Sequence, residues 1–120
     1  MPPPAFSQWD VWLVEWKHED GTSKPRPALI ASTPAYASAQ GLVWAMKITG
    51  RPGDDPSILP LSASLAEWPE LGLKKPCFLY VERIQVIPAD SLLRRYGAVP
   101  ETLAKRVSEI VSKVTGLKIP

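Results

Sequence analysis

The stretch KPRPALI, Lys24 to Ile30, sets an arginine between two prolines immediately before an apolar strand. Proline fixes φ and pushes the residue before it toward extended backbone, so Arg26 lies on a stiff segment with few conformations open to it. A cation held this way at the mouth of a sheet suits an anionic partner such as phosphate.

The neighbouring segments follow the same β logic. Residues 9–16 (WDVWLVEW) alternate, with Val11 and Leu13 on one face and Trp12, Val14 and Trp16 on the other. They read as a strand buried at least partly on both sides. HEDGTSKP, residues 18–25, is a polar loop with turn chemistry at Asp20-Gly21. A second strand is expected over Pro27–Thr33, a connection over 34–41, and a third strand over Leu42–Thr49. Residues 50–56 read as a flexible loop and Ser57–Leu61 as a short fourth strand. The segment after it is a short helical or irregular excursion ending at Gly72. CFLYVERIQVIP, residues 77–88, is the clearest β segment, and Arg83 near its middle suggests a bend or an exposed face. Leu103, Val107, Ile110, Val111, Val114 and Leu117 then form one apolar helical stripe. Pro100 suits the first helical position and Gly116 the stop, although the usual polar cap is missing.

Several short strands and one packed helix predict a small, mainly β, α+β fold: a twisted antiparallel barrel with a C-terminal helix at about 100–115. Residues 1–8 read as a flexible Pro-rich tail, and 9–120 as a single domain. The 120-residue length suits one core. The 14 prolines, against roughly 5% in average usage, favour fixed turns over a helix bundle.

Composition limits the chemistry. The net charge is +2, with nine Lys/Arg against six Asp/Glu in residues 61–120 and five against six in 1–60. A basic face is permitted but not announced. One cysteine, Cys77, allows no intramolecular disulfide, and a single histidine, His18, leaves no usual zinc site. No metal or cofactor is expected. The N-terminus does not read as a secretion signal, and no apolar run is long enough to span a bilayer. A reducing, cytoplasmic setting without membrane contact is expected.

From residue 9 to 117 the chain resembles the PemK/MazF-type toxins of bacterial toxin–antitoxin pairs. The resemblance is carried by Asp10-Val11-Trp12-Leu13-Val14, Lys24 to Ile30, Ile48-Thr49 and Gly72-Leu73-Lys74-Lys75-Pro76. Glu82, Ile87-Pro88, Arg94-Arg95 and Pro100-Glu101-Thr102-Leu103 continue it in order. Trp9 stands where a glycine is usual, Gly50 where serine is frequent, and Cys77 where serine is common. The resemblance implies an SH3-like barrel acting as a homodimer. Its activity would be metal-free cleavage of single-stranded RNA, mRNA included, silenced by a cognate antitoxin protein filling the RNA groove.

Metal-free cleavage requires a proton taken from the 2′-OH, charge balance at the phosphorane, and a proton for the departing 5′-oxygen. Arg26 suits the second task, since its planar fork can hold two phosphate oxygens. The resemblance also implies a proton-transfer role, for which a guanidinium is a poor base. The plain alternative pairs Arg26 with Asp10 or Glu82. Thr49 could donate to a phosphate oxygen or orient the attacking hydroxyl, or simply end a strand. His18, of the one side-chain type that ionises unaided near neutrality, is a candidate shuttle or RNA contact, otherwise a solvated loop residue. Lys17, Lys24, Lys47, Arg51, Lys74 and Lys75 are the phosphate-steering candidates. Trp9, Trp12, Trp16 and Trp44 suit core or dimer contacts, with Trp16 also placed to stack on a base. Cys77 reads as packing. A related toxin class uses the same barrel to poison DNA gyrase without nuclease activity. A binding module, or an inactive member that still binds RNA or antitoxin, is therefore the alternative.

Overall fold

Twelve residues, Cys77–Pro88, make the longest strand, and it contains an irregularity that organises the molecule. The structure is a computed structural model and describes residues 4–116. In chain order the elements are β1 (Asp10–Lys17), β2 (Ser23–Ile30), α1 (Pro34–Gln40), β3 (Leu42–Thr49) and β4 (Ile58–Leu61). α2 (Trp68–Leu71), β5 (Cys77–Pro88), β6 (Leu92–Ala98) and α3 (Glu101–Thr115) complete the set. The strands form one antiparallel sheet in the order β4-β5-β3-β2-β1-β6. The expected α+β fold with a C-terminal helix is therefore found.

The sheet is curled rather than flat. Gln85 of β5 reaches the end of β1, two strands beyond its own neighbour. Its Nε2 donates to the Lys17 carbonyl at 2.7 Å and its Oε1 accepts the Lys17 amide at 3.3 Å. One side chain thus stands in for a pair of ladder bonds and brings the ends of a barrel-like sheet together.

Two cores result, one on each face. The outer face packs Val11, Leu29, Met46, Ile48, Leu79 and Val81 against Leu71 of α2 and Leu103, Ala104 and Val107 of α3. The inner face encloses Trp12, Val14, Trp16, Ala28, Ile30, Val43, Ala45 and Ile87. Burying a residue such as Leu103 or Val107 is worth about 1.5–3 kcal/mol. Both are fully enclosed, so α3 is held mainly by its first two turns. Val114, assigned to the apolar stripe, is 55% exposed, and Leu117 lies outside the described residues. Pro100 is the cap itself, Glu101 is in the first turn, and Gly116 ends the helix in the left-handed conformation.

Between Met46 opposite Ile84 and Lys47 opposite Tyr80, three residues of β5, Val81 to Arg83, have no counterpart on β3. This wide bulge reverses the strand's alternation. Leu79 and Val81 face the helix side before it, whereas Gln85 and Ile87 face the inner side after it. The bend suggested by Arg83 is found there.

Three local expectations are corrected. Ser23 to Pro25 belong to β2 rather than to the loop, and β2 ends at Ile30 rather than Thr33. Pro25 and Pro27 are tolerated because this half of β2 pairs only with β1. The connection 34–41 contains α1, with Pro34 in its first turn and the Thr33 hydroxyl accepting the Tyr36 amide at 3.1 Å. β6, not anticipated as a strand, pairs with Asp10–Val14 on the edge of β1 opposite β2. Of the expected tail, residues 1–3 lie outside the described residues. Phe6 packs on the inner core and the Gln8 amide donates to the Ala31 carbonyl at 2.8 Å.

Candidate functional site

Strand alternation places the candidate residues. Arg26 pairs with Val14 and Lys24 with Trp16, so both cations belong to the inner face of β2. On β3, Lys47 and Thr49 share the face of Ala45 and Val43. The β2–β3 ladder ends at Ala28 opposite Lys47. Carried two residues further, the same register sets Arg26 against Thr49. The ladder itself stops short of both, so the two candidate catalytic residues lie on the stretches where the strands part.

Beside them lies an open cavity of about 680 Å³. Lys17, His18, Lys24, Lys47 and Arg51 line it, together with Trp16 at its base. These are five of the seven sequence-derived RNA contacts. Arg26 and Thr49 are outside the lining, each two residues along its strand from a lining lysine. Lys74 and Lys75 are exposed and also outside it. They precede β5 at the end where Phe78 pairs with Thr49. The sequence reading missed Glu82 and Arg83, which the bulge presents to the cavity, and Gln85. The charged pair interrupting an apolar strand, and the place of Glu82 in the family resemblance, were the signals available.

The lining carries Glu19, Asp20 and Glu82 as well as Arg83, so cations exceed carboxylates only modestly. Asp20 accepts the Thr22 hydroxyl at 2.6 Å and the Thr22 amide at 2.9 Å, and these bonds hold its carboxyl below the usual range. The same turn ties the His18 amide to the Thr22 carbonyl at 2.8 Å. His18 is not the solvated side chain its loop suggested: it is half-buried, and its Nε2 is enclosed with no hydrogen-bond partner.

Thr49 does more than end a strand. Its hydroxyl accepts the Arg51 amide at 3.3 Å, which leaves its own hydrogen free to donate outward. Arg26 makes no ion pair among the described residues. Asp10, offered as its plain partner, is 3% exposed and otherwise engaged. It accepts from the Ser7 amide at 2.9 Å, Trp12 Nε1 at 3.1 Å and Arg95 Nη2 at 3.4 Å. That aspartate anchors β1 to β6. Trp12 and Trp16 are core residues, whereas Trp44 is 43% exposed and meets the Tyr36 ring edge-on. Cys77 packs at the margin of the outer core, and burial pushes its thiol up to about 11.

Among the described residues no group of three or more His, Cys, Asp or Glu side chains gathers to hold a metal ion. None of the described helices is long and apolar enough to cross a membrane.

Known structures share this architecture. An endoribonuclease from a mycobacterial species is 18% identical, superposes with a TM-score of 0.73, and the match covers 98% of each chain. A mycobacterial endoribonuclease in complex with its cognate antitoxin is 17% identical, with a TM-score of 0.73 over 97% of this chain and 100% of that one. A MazE–MazF structure from Deinococcus radiodurans is 19% identical, with a TM-score of 0.73 over 93% and 97% of the two chains. Among curated proteins none matches the chain in sequence. The family model of PemK-like, MazF-like toxins matches residues 7–115. The chain belongs to the PemK-like, MazF-like toxins of type II toxin–antitoxin systems.

Proposed function

We propose that this toxin is an endoribonuclease that cleaves single-stranded RNA, mRNA included, without a metal, and so arrests translation and growth. The carrying observation is a cavity lined by Lys17, Lys24, Lys47 and Arg51, beside the point where β2 and β3, which bear Arg26 and Thr49, part. The RNA backbone follows these cations, with the scissile phosphate between the two strand ends.

The 2′-oxygen attacks the adjacent phosphorus in line, forming the O2′–P bond as the P–O5′ bond breaks. The products are a 2′,3′-cyclic phosphate and a 5′-hydroxyl. Arg26 holds the two non-bridging oxygens whose charge grows in the phosphorane. Thr49 uses a lone pair on the Arg51 amide and gives its hydrogen to a phosphate oxygen. The proton lost from the 2′-OH is matched by the one gained by the departing 5′-oxygen, so the step is proton-neutral overall. A cognate antitoxin is the expected inhibitor, since solved relatives include antitoxin complexes. A homodimer in the cytoplasm completes the proposal.

Purified protein incubated with a mixed single-stranded RNA pool in EDTA should cleave it. Arg26→Ala should lower kcat by about 100-fold or more, the loss typical of a removed oxyanion donor. Activity abolished by the chelator, or undiminished in Arg26→Ala, would overturn the scheme. Binding without cleavage would favour an inactive member, and capture of DNA gyrase without RNA turnover a gyrase-directed module.

A further inference from the structure

Thr49 and Tyr80 grip the same residue from two strands. The Thr49 hydroxyl accepts the Arg51 amide at 3.3 Å, and the Tyr80 hydroxyl donates to the Arg51 carbonyl at 2.8 Å. Arg51 is the second residue of an exposed loop, where a long side chain would ordinarily sample many directions. Both its backbone groups are held, which fixes the point from which its side chain leaves the loop, and the residue lines the cavity. Gly53 is fitted to this arrangement. A Cβ there would collide with Ile58 Cδ1 and lie 3.0 Å from the Tyr80 hydroxyl. A side chain at that position would have to displace the ends of Ile58 and Tyr80, so the glycine suits the loop's close passage over Tyr80.

We propose that Tyr80 is a positioning residue that latches the 50–56 loop, so that Arg51 meets an RNA phosphate away from the one being cleaved. The inference rests on the RNA-cleaving reading above. Lysines 24 and 47 supply mobile point charges in the same cavity. The latch converts Arg51 into a fixed, planar contact, which favours uniform binding of the strand rather than the chemical step. Tyr80 touches no reacting atom in this scheme; it acts through Arg51.

The test is steady-state cleavage of a randomised single-stranded RNA oligonucleotide pool by the full chain, at several salt concentrations. Tyr80→Phe should raise KM by about 3- to 10-fold with kcat unchanged, the pattern of lost ground-state contact. Arg51→Ala should raise KM by about 10-fold or more and reduce the logarithmic salt slope by about 0.7, one phosphate contact. The double variant should match Arg51→Ala within about twofold, since coupled residues are not additive. Gly53→Ala, which crowds the hydroxyl while leaving both partners chemically intact, should reproduce Tyr80→Phe. Additive effects, or normal KM in Tyr80→Phe with the wild type active, overturn the inference alone. A wild type that cleaves no RNA overturns the underlying reading and the inference with it.

Discussion

Replacing Gly97 with alanine should unseat α2 from the sheet. Gly97 lies on β6, and a Cβ there would collide with the Glu70 carbonyl oxygen and stand 2.6 Å from the Leu71 carbonyl carbon. Ordinary contact begins at 3.4 Å, so the two backbones must part by more than 0.8 Å, because the Glu70 oxygen lies closer than the Leu71 carbon. No rotamer can relieve the clash, because backbone lies on both sides. Leu71 is fully buried in the outer core, and moving α2 lifts it from its packing. Overpacking of this kind costs about 3 kcal/mol. For a domain of this size that corresponds to a fall in Tm of about 10–15 °C. Thermal unfolding followed by circular dichroism reads it, with Gly50→Ala as reference, since a Cβ at Gly50 meets nothing within 4 Å. Gly72 faces the same contact from α2, where a Cβ would strike the Tyr96 carbonyl and φ is +70. The two alanines together should therefore cost less than their sum. A Gly97→Ala protein melting within about 2 °C of wild type would refute the close backbone approach.

Gln85→Leu removes both bonds that bracket β1 to β5; in this exposed setting the loss should be about 1–2 kcal/mol, with faster hydrogen exchange at the Lys17 amide. Burial raises the Cys77 thiol from 9.0 to about 11, so alkylation of folded protein near pH 8 should run about 100-fold slower than for an unperturbed thiol. The Thr102 hydroxyl donates to Glu67 at 2.7 Å and lowers its pKa. Stabilisation from that bond is present above the ordinary glutamate range and lost as pH falls through the lowered value. Thr102→Val should therefore flatten the acid limb of stability against pH below about 5, as denaturant titrations would show.

β1, β3 and α3 were legible because their burial is periodic and uninterrupted. β6 was not, because register shifts opposite Val11/Trp12 and Leu13/Val14 break its alternation and leave Leu93 and Arg94 exposed beside buried Leu92. α1 was missed for a different reason. Its Thr33-Pro34 start is a good cap, but only Ala37 of its seven residues is buried, so no apolar stripe marks it. Arg26 and Thr49 were named as a pair through the family resemblance; the β2–β3 ladder ends two residues short of both. Glu82, Arg83 and Gln85 were hidden as cavity residues because their placement depends on a bulge that shifts faces within one strand. The departure at Trp9 also acquires a meaning. Its φ is +74, the glycine conformation, kept by a 2.7 Å bond from its amide to the Ile30 carbonyl and another from the Val99 amide to its own carbonyl. Such backbone costs a non-glycine residue on the order of 1–2 kcal/mol, offset here as the indole packs on the outer core.

The unpaired residues of β5 have a wider implication. Met46 and Lys47 are consecutive on β3, yet their partners Ile84 and Tyr80 are four positions apart. A shorter strand lacking 81–83 would run on as an uninterrupted ladder, with every remaining side chain keeping its present side. Val81 fills a place in the outer core, but pairing alone has no use for Glu82 or Arg83. Glu82 and Arg83 are therefore free to change in charge without disturbing the flanking ladders, whereas Val81 is held by the core and by its amide's 3.2 Å bond to the Ser57 carbonyl. Proteins sharing this scaffold can differ in charge at that point, on the rim of the cavity, while their folds remain superimposable.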